Sequence, residues 1–201
     1  MYDPNYVVAS QQQPHTLESE GFYPLPLRIN QIDSNKEYNK IVKNIEITLR
    51  RSYEYKIWRG YVVDTCGHNI CAISGEVSDE VTIEIHHHPF RLFDLVRIVV
   101  DEYIINGKGF CTFDIATEVI ELHYNNDIGY IPLCTTLHEK HHNGYLDIDI
   151  NLVSGNYKNI FKLYSHIDGS IIEKVTNLMN IKQTSQIEGL VKDTSYAISS
   201  S

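Results

Sequence analysis

Apolar and polar positions divide the chain into segments of different period. From Ser34 onward, Tyr38, Ile41, Val42, Ile45 and Leu49 recur at three- and four-residue steps, which predicts a helix with one buried face and Ser34 as its cap. Tyr53, Tyr55 and Trp58 lead into Tyr61, Val62 and Val63, a short strand-like run ending at Asp64. Cys66 to Gly75 reads as a turn-rich segment hinged at Gly67 and Gly75. Val81, Ile83 and Ile85 then alternate with Thr82, Glu84 and His86, the period of a half-buried strand, with His86 at its end on the polar face. Leu92, Val96, Val99, Val100 and Tyr103 predict a helix between Phe90 and Ile105. Ile115, Val119, Ile120 and Leu122 predict another from Phe113 to Tyr124, with Gly107 and Gly109 as the break and Thr112 as the cap. Ile128 to Leu133 reads as a second short strand. Thr135 or Thr136 starts a helix that carries His138, His141 and His142 and stops at Asn143-Gly144.

Beyond that helix, Leu146, Ile148, Ile150 and Leu152 alternate with Asp147, Asp149 and Asn151, the most regular strand signal in the chain. Short helical stretches are expected around Tyr157 to His166 and Ser170 to Ile181, then a loose Ser- and Thr-rich tail. The first 35 or so residues contain Pro4, Pro14, Pro24 and Pro26 without sustained period and read as an extended arm. The fold class is α+β, divided into an arm at 1–35, a main domain at 36–155 with residues 90–127 inserted, and short helices with a tail at 156–201. No internal repeat is present.

Composition narrows the classes. With 201 residues, 42% hydrophobic and 21% charged, the chain suits one soluble domain with arms, and no apolar run approaches the roughly 20 residues of a membrane span. The start has neither a basic stretch nor an apolar core, so no secretion signal is expected and the protein should act where it is made, in the cytoplasm. A formal net charge of -9 argues against coating nucleic acid through bulk charge. Local contacts could come from Arg50, Arg51, Lys56 and Arg59, which equally suit a solvated helix face. The Asn-, Ile-, Tyr- and Lys-rich composition suggests an AT-rich genome, as in many bacteriophages.

The chemistry lies in the histidines. Six of the 10 fall in His86-His87-His88 and His138-Glu-Lys-His141-His142. Residues four apart share a helix face, so His138 and His142 can present two imidazoles to one ion. A strand-end histidine supplies a third ligand and leaves positions open, as a catalytic metal requires. His88, which precedes Pro89, and His141, off the face shared by His138 and His142, fall outside this set. His123 suits a late carbonyl or the C-terminal dipole of its helix. Asp147 with Asp149, and Asp101 with Glu102, suit solvent-facing sides.

The strings Cys71-Ala-Ile-Ser-Gly75, Ile83-Glu-Ile-His86-His87-His-Pro-Phe90 and Ile131-Pro-Leu-Cys134-Thr-Thr-Leu-His138-Glu-Lys-His-His142-Asn-Gly144 resemble the HNH branch of the ββα-metal (His-Me finger) endonucleases, most of all its phage-encoded members. Tyr55-Lys-Ile-Trp58-Arg59 resembles the helix that precedes the core in those members. The resemblance covers about residues 50 to 150. It implies an HNH-like core with a two-helix insertion between its strands, an N-terminal helix and extended N- and C-terminal arms. His86, His138 and His142 would hold one divalent ion (magnesium, manganese, nickel or zinc), and neutral His87 would take a proton from the water attacking a phosphodiester, with DNA the favoured substrate. Leu137 stands where the family's helix carries a second Cys. Cys66, Cys71 and Cys134 could hold a structural zinc with His68 or His141, but the wide Cys66 to Cys71 spacing favours Cys71 and Cys134 as reduced core thiols. Asn126 and Asn125 are candidates for the family's loop Asn, although spacing selects Gly129.

A second function class fits the acidic balance and the arms: a catalytically inactive HNH-like subunit that docks DNA or neighbouring proteins within a phage virion or nucleic-acid-processing assembly. A purely structural zinc protein is a third, disfavoured because it has no use for a base at His87.

Overall fold

In the computed structural model, Ile32 and residues 34–180 are described; most of the expected N-terminal arm and the whole C-terminal tail lie outside the described residues. The first helix, α1 (Asn35–Arg51), begins as its period requires: Ser34 Oγ accepts from the Glu37 N–H at 3.2 Å, and Ile41, Val42, Ile45 and Leu49 are buried. Helix α2 (Tyr53–Gly60) runs directly into a π-helical turn, Tyr61–Thr65, where the β-branched run had suggested a strand. The Cys66 N–H closes that turn on the Tyr61 carbonyl at 3.0 Å. Of the run only Val62 is buried, while Tyr61 is 56% exposed, so the turn has one apolar side chain to bury rather than a strand face.

The chain forms two compact units. The first comprises α1, α2 as far as Ile57, residues 92–125 and residues 161–167. Its core is helical: α1 packs on α3 (Leu92–Ile105) and α4 (Thr112–Tyr124), which also pack on each other. Leu95, Val96, Val99, Ile115 and Val119 are buried there. The flanking residue of α4 is Cys111 rather than Thr112, because the Asp114 carboxylate accepts the Cys111 N–H at 2.7 Å and so draws Thr112 into the first turn, where it is fully buried.

The second unit comprises residues 58–91, 126–160 and those from 168 onward. Strands β1 (Ile83–His87) and β2 (Tyr130–Cys134) pair antiparallel, with Ile83 opposite Cys134, His86 opposite Ile131 and His87 opposite Tyr130. Helix α5 (Thr135–His142) follows β2 without a loop and packs on both strands. The Thr135 N–H donates to the Thr82 carbonyl at 3.1 Å, fastening the helix start to the head of β1. Cys71, Ile83, Ile131, Leu133, Cys134 and Ile148 form a buried apolar cluster in this unit.

Residues 146–152 do not form the strand their alternation predicts. The Asp149 carboxylate accepts from the Asn151 N–H at 2.9 Å and from Asn151 Nδ2 at 2.8 Å, which curls the chain into the 3₁₀ turn Ile150–Leu152. Pairing with β2 is limited to the single bridge between Tyr130 and Ser154. A 3₁₀ turn (Tyr157–Asn159), the one-turn helix α6 (Ile160–Leu163) and α7 (Gly169–Asn180) complete the described chain. No helix among the described residues is long and apolar enough to cross a membrane.

Candidate metal centre

Two local geometries bring the second unit's histidines together. Alternate residues of a strand share a face, so Glu84 and His86 point the same way from β1. Because α5 starts at Cys134, whose partner in the ladder is Ile83, its first full turn sets His138 over that face and His142 one turn on. The result is a cluster of ring nitrogens. His138 Nε2 lies 2.9 Å from His86 Nδ1 and 3.0 Å from His142 Nε2. The other nitrogen of His138, Nδ1, is held by Glu84 Oε2.

These distances decide what the arrangement can hold. A carboxylate on Nδ1 fixes the tautomer of His138 and leaves one lone pair at Nε2. That lone pair can accept from one neighbour only, so hydrogen bonds alone leave one of the two N···N contacts without a proton between its atoms. A single cation at the common point satisfies all three. With metal–nitrogen bonds of about 2.0–2.1 Å, tetrahedral ligands stand roughly 3.3 Å apart, a few tenths of an ångström more than the observed contacts. The residues therefore fit a divalent ion, and imidazole ligands backed by a carboxylate suit zinc, nickel or copper(II) better than magnesium.

Burial shapes the electrostatics. His86 is 6% exposed, and desolvation followed by its neighbours His141, His138, His88 and His142 pushes its pKa down to about 2. His88 is pushed down to about 4, by burial first and then by His141 and Lys174. Both rings are thus neutral at physiological pH, the form a metal requires.

His87 faces differently from a freely hydrated base. It is 4% exposed, and Trp58 stacks on its ring at 5.9 Å between centroids. It nonetheless lines the cavity of about 640 Å³ onto which His86 and His142 open. Arg91 and Lys174 belong to the same wall. Of the basic residues singled out in the sequence, Arg59 alone lies in this unit and it is not in that wall, while Arg50 pairs with Glu46 at 2.9 Å.

The cysteines stand apart from the histidine cluster. Cys71 and Cys134 are buried in the apolar core and Cys66 is exposed. His68, a candidate fourth zinc ligand, is bonded through Nε2 to Ser154 Oγ at 2.9 Å, and His141 through Nδ1 to the Leu146 carbonyl at 2.8 Å. Asn126 adopts a left-handed backbone (φ 59°), and its carbonyl accepts the Asn156 N–H at 2.9 Å. Gly129 has its own steric reason. A Cβ there would stand 2.0 Å from the His88 carbonyl oxygen, in a place where the His88 N–H reaches the Gly129 carbonyl at 3.0 Å.

Sequence reasoning missed Glu84, although its position two residues before His86 on a strand was the available signal. It also set aside His88 and His141, whose ring nitrogens approach those of His86 to within 4.8 Å.

A family model described as Bacteriophage G278-like virion protein matches residues 10–197. No curated protein and no solved structure matches the chain.

Proposed function

Since the chain belongs to the Bacteriophage G278-like virion protein family, we propose that it is a virion-associated subunit whose HNH-like strand–strand–helix unit is pinned by one divalent ion on His86, His138 and His142. In this reading the centre rigidifies a docking module for DNA or neighbouring virion proteins, and the expected arms make the assembly contacts. The observation that carries it is the approach of two ring nitrogens, from His86 and His142, to within 3.0 Å of Nε2 of the carboxylate-backed His138. A bound ion would reinforce the tie between the end of β1 and α5 that the Glu84–His138 and His86–His138 contacts already make.

A second reading, a phosphodiester-cleaving nuclease, is favoured by one observation: His87 shares a cavity with His86, His142, Arg91 and Lys174. There His87 would take the proton from an attacking water, and a cation would offset charge on the phosphate. The buried ring of His87, stacked on Trp58, favours the docking reading over this one.

Incubating the purified protein with plasmid DNA and each of magnesium, manganese, nickel and zinc separates the two. Bound metal with intact plasmid is the outcome expected for a docking subunit. Nicking that disappears in His87→Ala protein, with metal retained, would replace that reading by the nuclease.

A further inference from the structure

The ion on His86, His138 and His142 uses three of five histidines that meet in the second unit. His86, His88 and His141 form another set, their ring nitrogens within 4.8 Å of one another. Tetrahedral ligands stand roughly 3.3 Å apart at metal–nitrogen distances of about 2.0–2.1 Å, so ring rotations must close the set by up to about 1.5 Å. The ring centroids of His86 and His141 are 4.8 Å apart, those of His88 and His141 5.8 Å.

Three features of these residues point to a ligand. His88 is 3% exposed, yet its Nε2 is buried with no hydrogen-bond partner among the described residues. A polar atom so placed is costly unless something binds it. His141 donates through Nδ1 to the Leu146 carbonyl, which leaves its Nε2 as the lone-pair nitrogen, as in most metal-bound histidines, whose other ring N–H donates to a carbonyl or carboxylate. All three residues line the same cavity.

We propose that His86, His88 and His141 hold a second late transition-metal ion, with His86 bridging the two ions through its two ring nitrogens. Nδ1 of His86 faces His138, and simultaneous occupancy assigns Nε2 to the second set. Three imidazoles without carboxylate or thiolate select zinc, copper(II) or nickel over magnesium or calcium. A bridging ring must lose both of its N–H protons, so loading the second ion releases a proton from His86 itself. The inference rests on the reading of His86 as a metal ligand.

Zinc is the probe. Full-length protein equilibrated by dialysis against buffered micromolar zinc should carry two zinc per chain by mass spectrometry of the metal, falling to one in His88→Gln and in His141→Gln. His142→Ala should also carry one, and His86→Ala none. His141 is only partly buried on α5, so its variant guards against misfolding, checked by circular dichroism. One zinc in the wild type, kept in both His88→Gln and His141→Gln, overturns the second site and leaves the first standing. Two zinc retained in His141→Gln would also overturn it, by placing the second ion elsewhere. No zinc in the wild type would sink both.

Discussion

Replacing Glu84 by Gln tests the centre without touching a ligand. The Glu84 carboxylate holds His138 Nδ1 and thereby keeps Nε2 as the lone-pair nitrogen that meets His86 and His142. A neutral amide of the same shape loses the charge and can also turn its NH₂ toward Nδ1, which favours the wrong tautomer. Loss of such an outer partner typically weakens metal binding by about 10–100-fold. The Glu84 side chain is 38% exposed, so water screens part of its charge and the lower half of that range is expected. Competition for zinc against a chromophoric chelator should therefore give a Glu84→Gln affinity roughly 10- to 30-fold below wild type. His138→Ala, which removes a ligand outright, should fall much further. A Glu84→Gln protein that binds zinc within about twofold of wild type would refute the idea that this carboxylate orients a metal-binding histidine.

Three further outcomes follow from the geometry. Gly129→Ala would drive a Cβ into the His88 carbonyl oxygen, and because both partners are backbone the strand end must shift. Denaturant unfolding should show a loss of roughly 3 kcal/mol, the upper part of the range for overpacking. Stripping metal with EDTA should lower the melting temperature: at free zinc about 100 times the dissociation constant, binding contributes about 2.7 kcal/mol, or roughly 5–10 °C for a chain of this size. In the helical unit, burial pushes the His123 pKa down from 6.5 to about 4. The unfolded chain therefore binds a proton that the folded one refuses, and stability falls as pH drops through that window. The His123 share of that loss should reach roughly 3 kcal/mol by pH 4, and His123→Leu should lose that share while keeping what His86 and His88 contribute; equal acid sensitivity in that variant would refute the assignment.

The parts of the site that periodicity encodes were legible. His138 and His142 share a helical face by their spacing, and His86 falls at the end of an alternating strand, so the three nitrogens meet where β1 and α5 meet. What could not be read depended on neighbours distant in sequence. Glu84 looks like any solvent-side strand carboxylate until α5 sets His138 above it. His141 lies off the face that His138 and His142 share, so helical spacing gives no sign that its ring approaches His86. The alternation at residues 146–152 misled because Asp149 offers its carboxylate to Asn151, a local competitor that hydropathy does not register. Tyr61 to Val63 misled for the opposite reason, since an already formed helix extends more readily than a new isolated strand begins. The α+β class follows from the elements, and a virion subunit is the second function class that the acidic balance and the arms suggest; the family itself came from comparison.

Anomalous diffraction at the zinc edge, from crystals of zinc-equilibrated protein, addresses the metal centre most directly. An anomalous peak about 2.0–2.1 Å from His86 Nδ1, His138 Nε2 and His142 Nε2 is the expected result. Those three nitrogens still at their present spacing, with no anomalous density among them in zinc-saturated crystals, would contradict it and leave a hydrogen-bonded histidine cluster in its place.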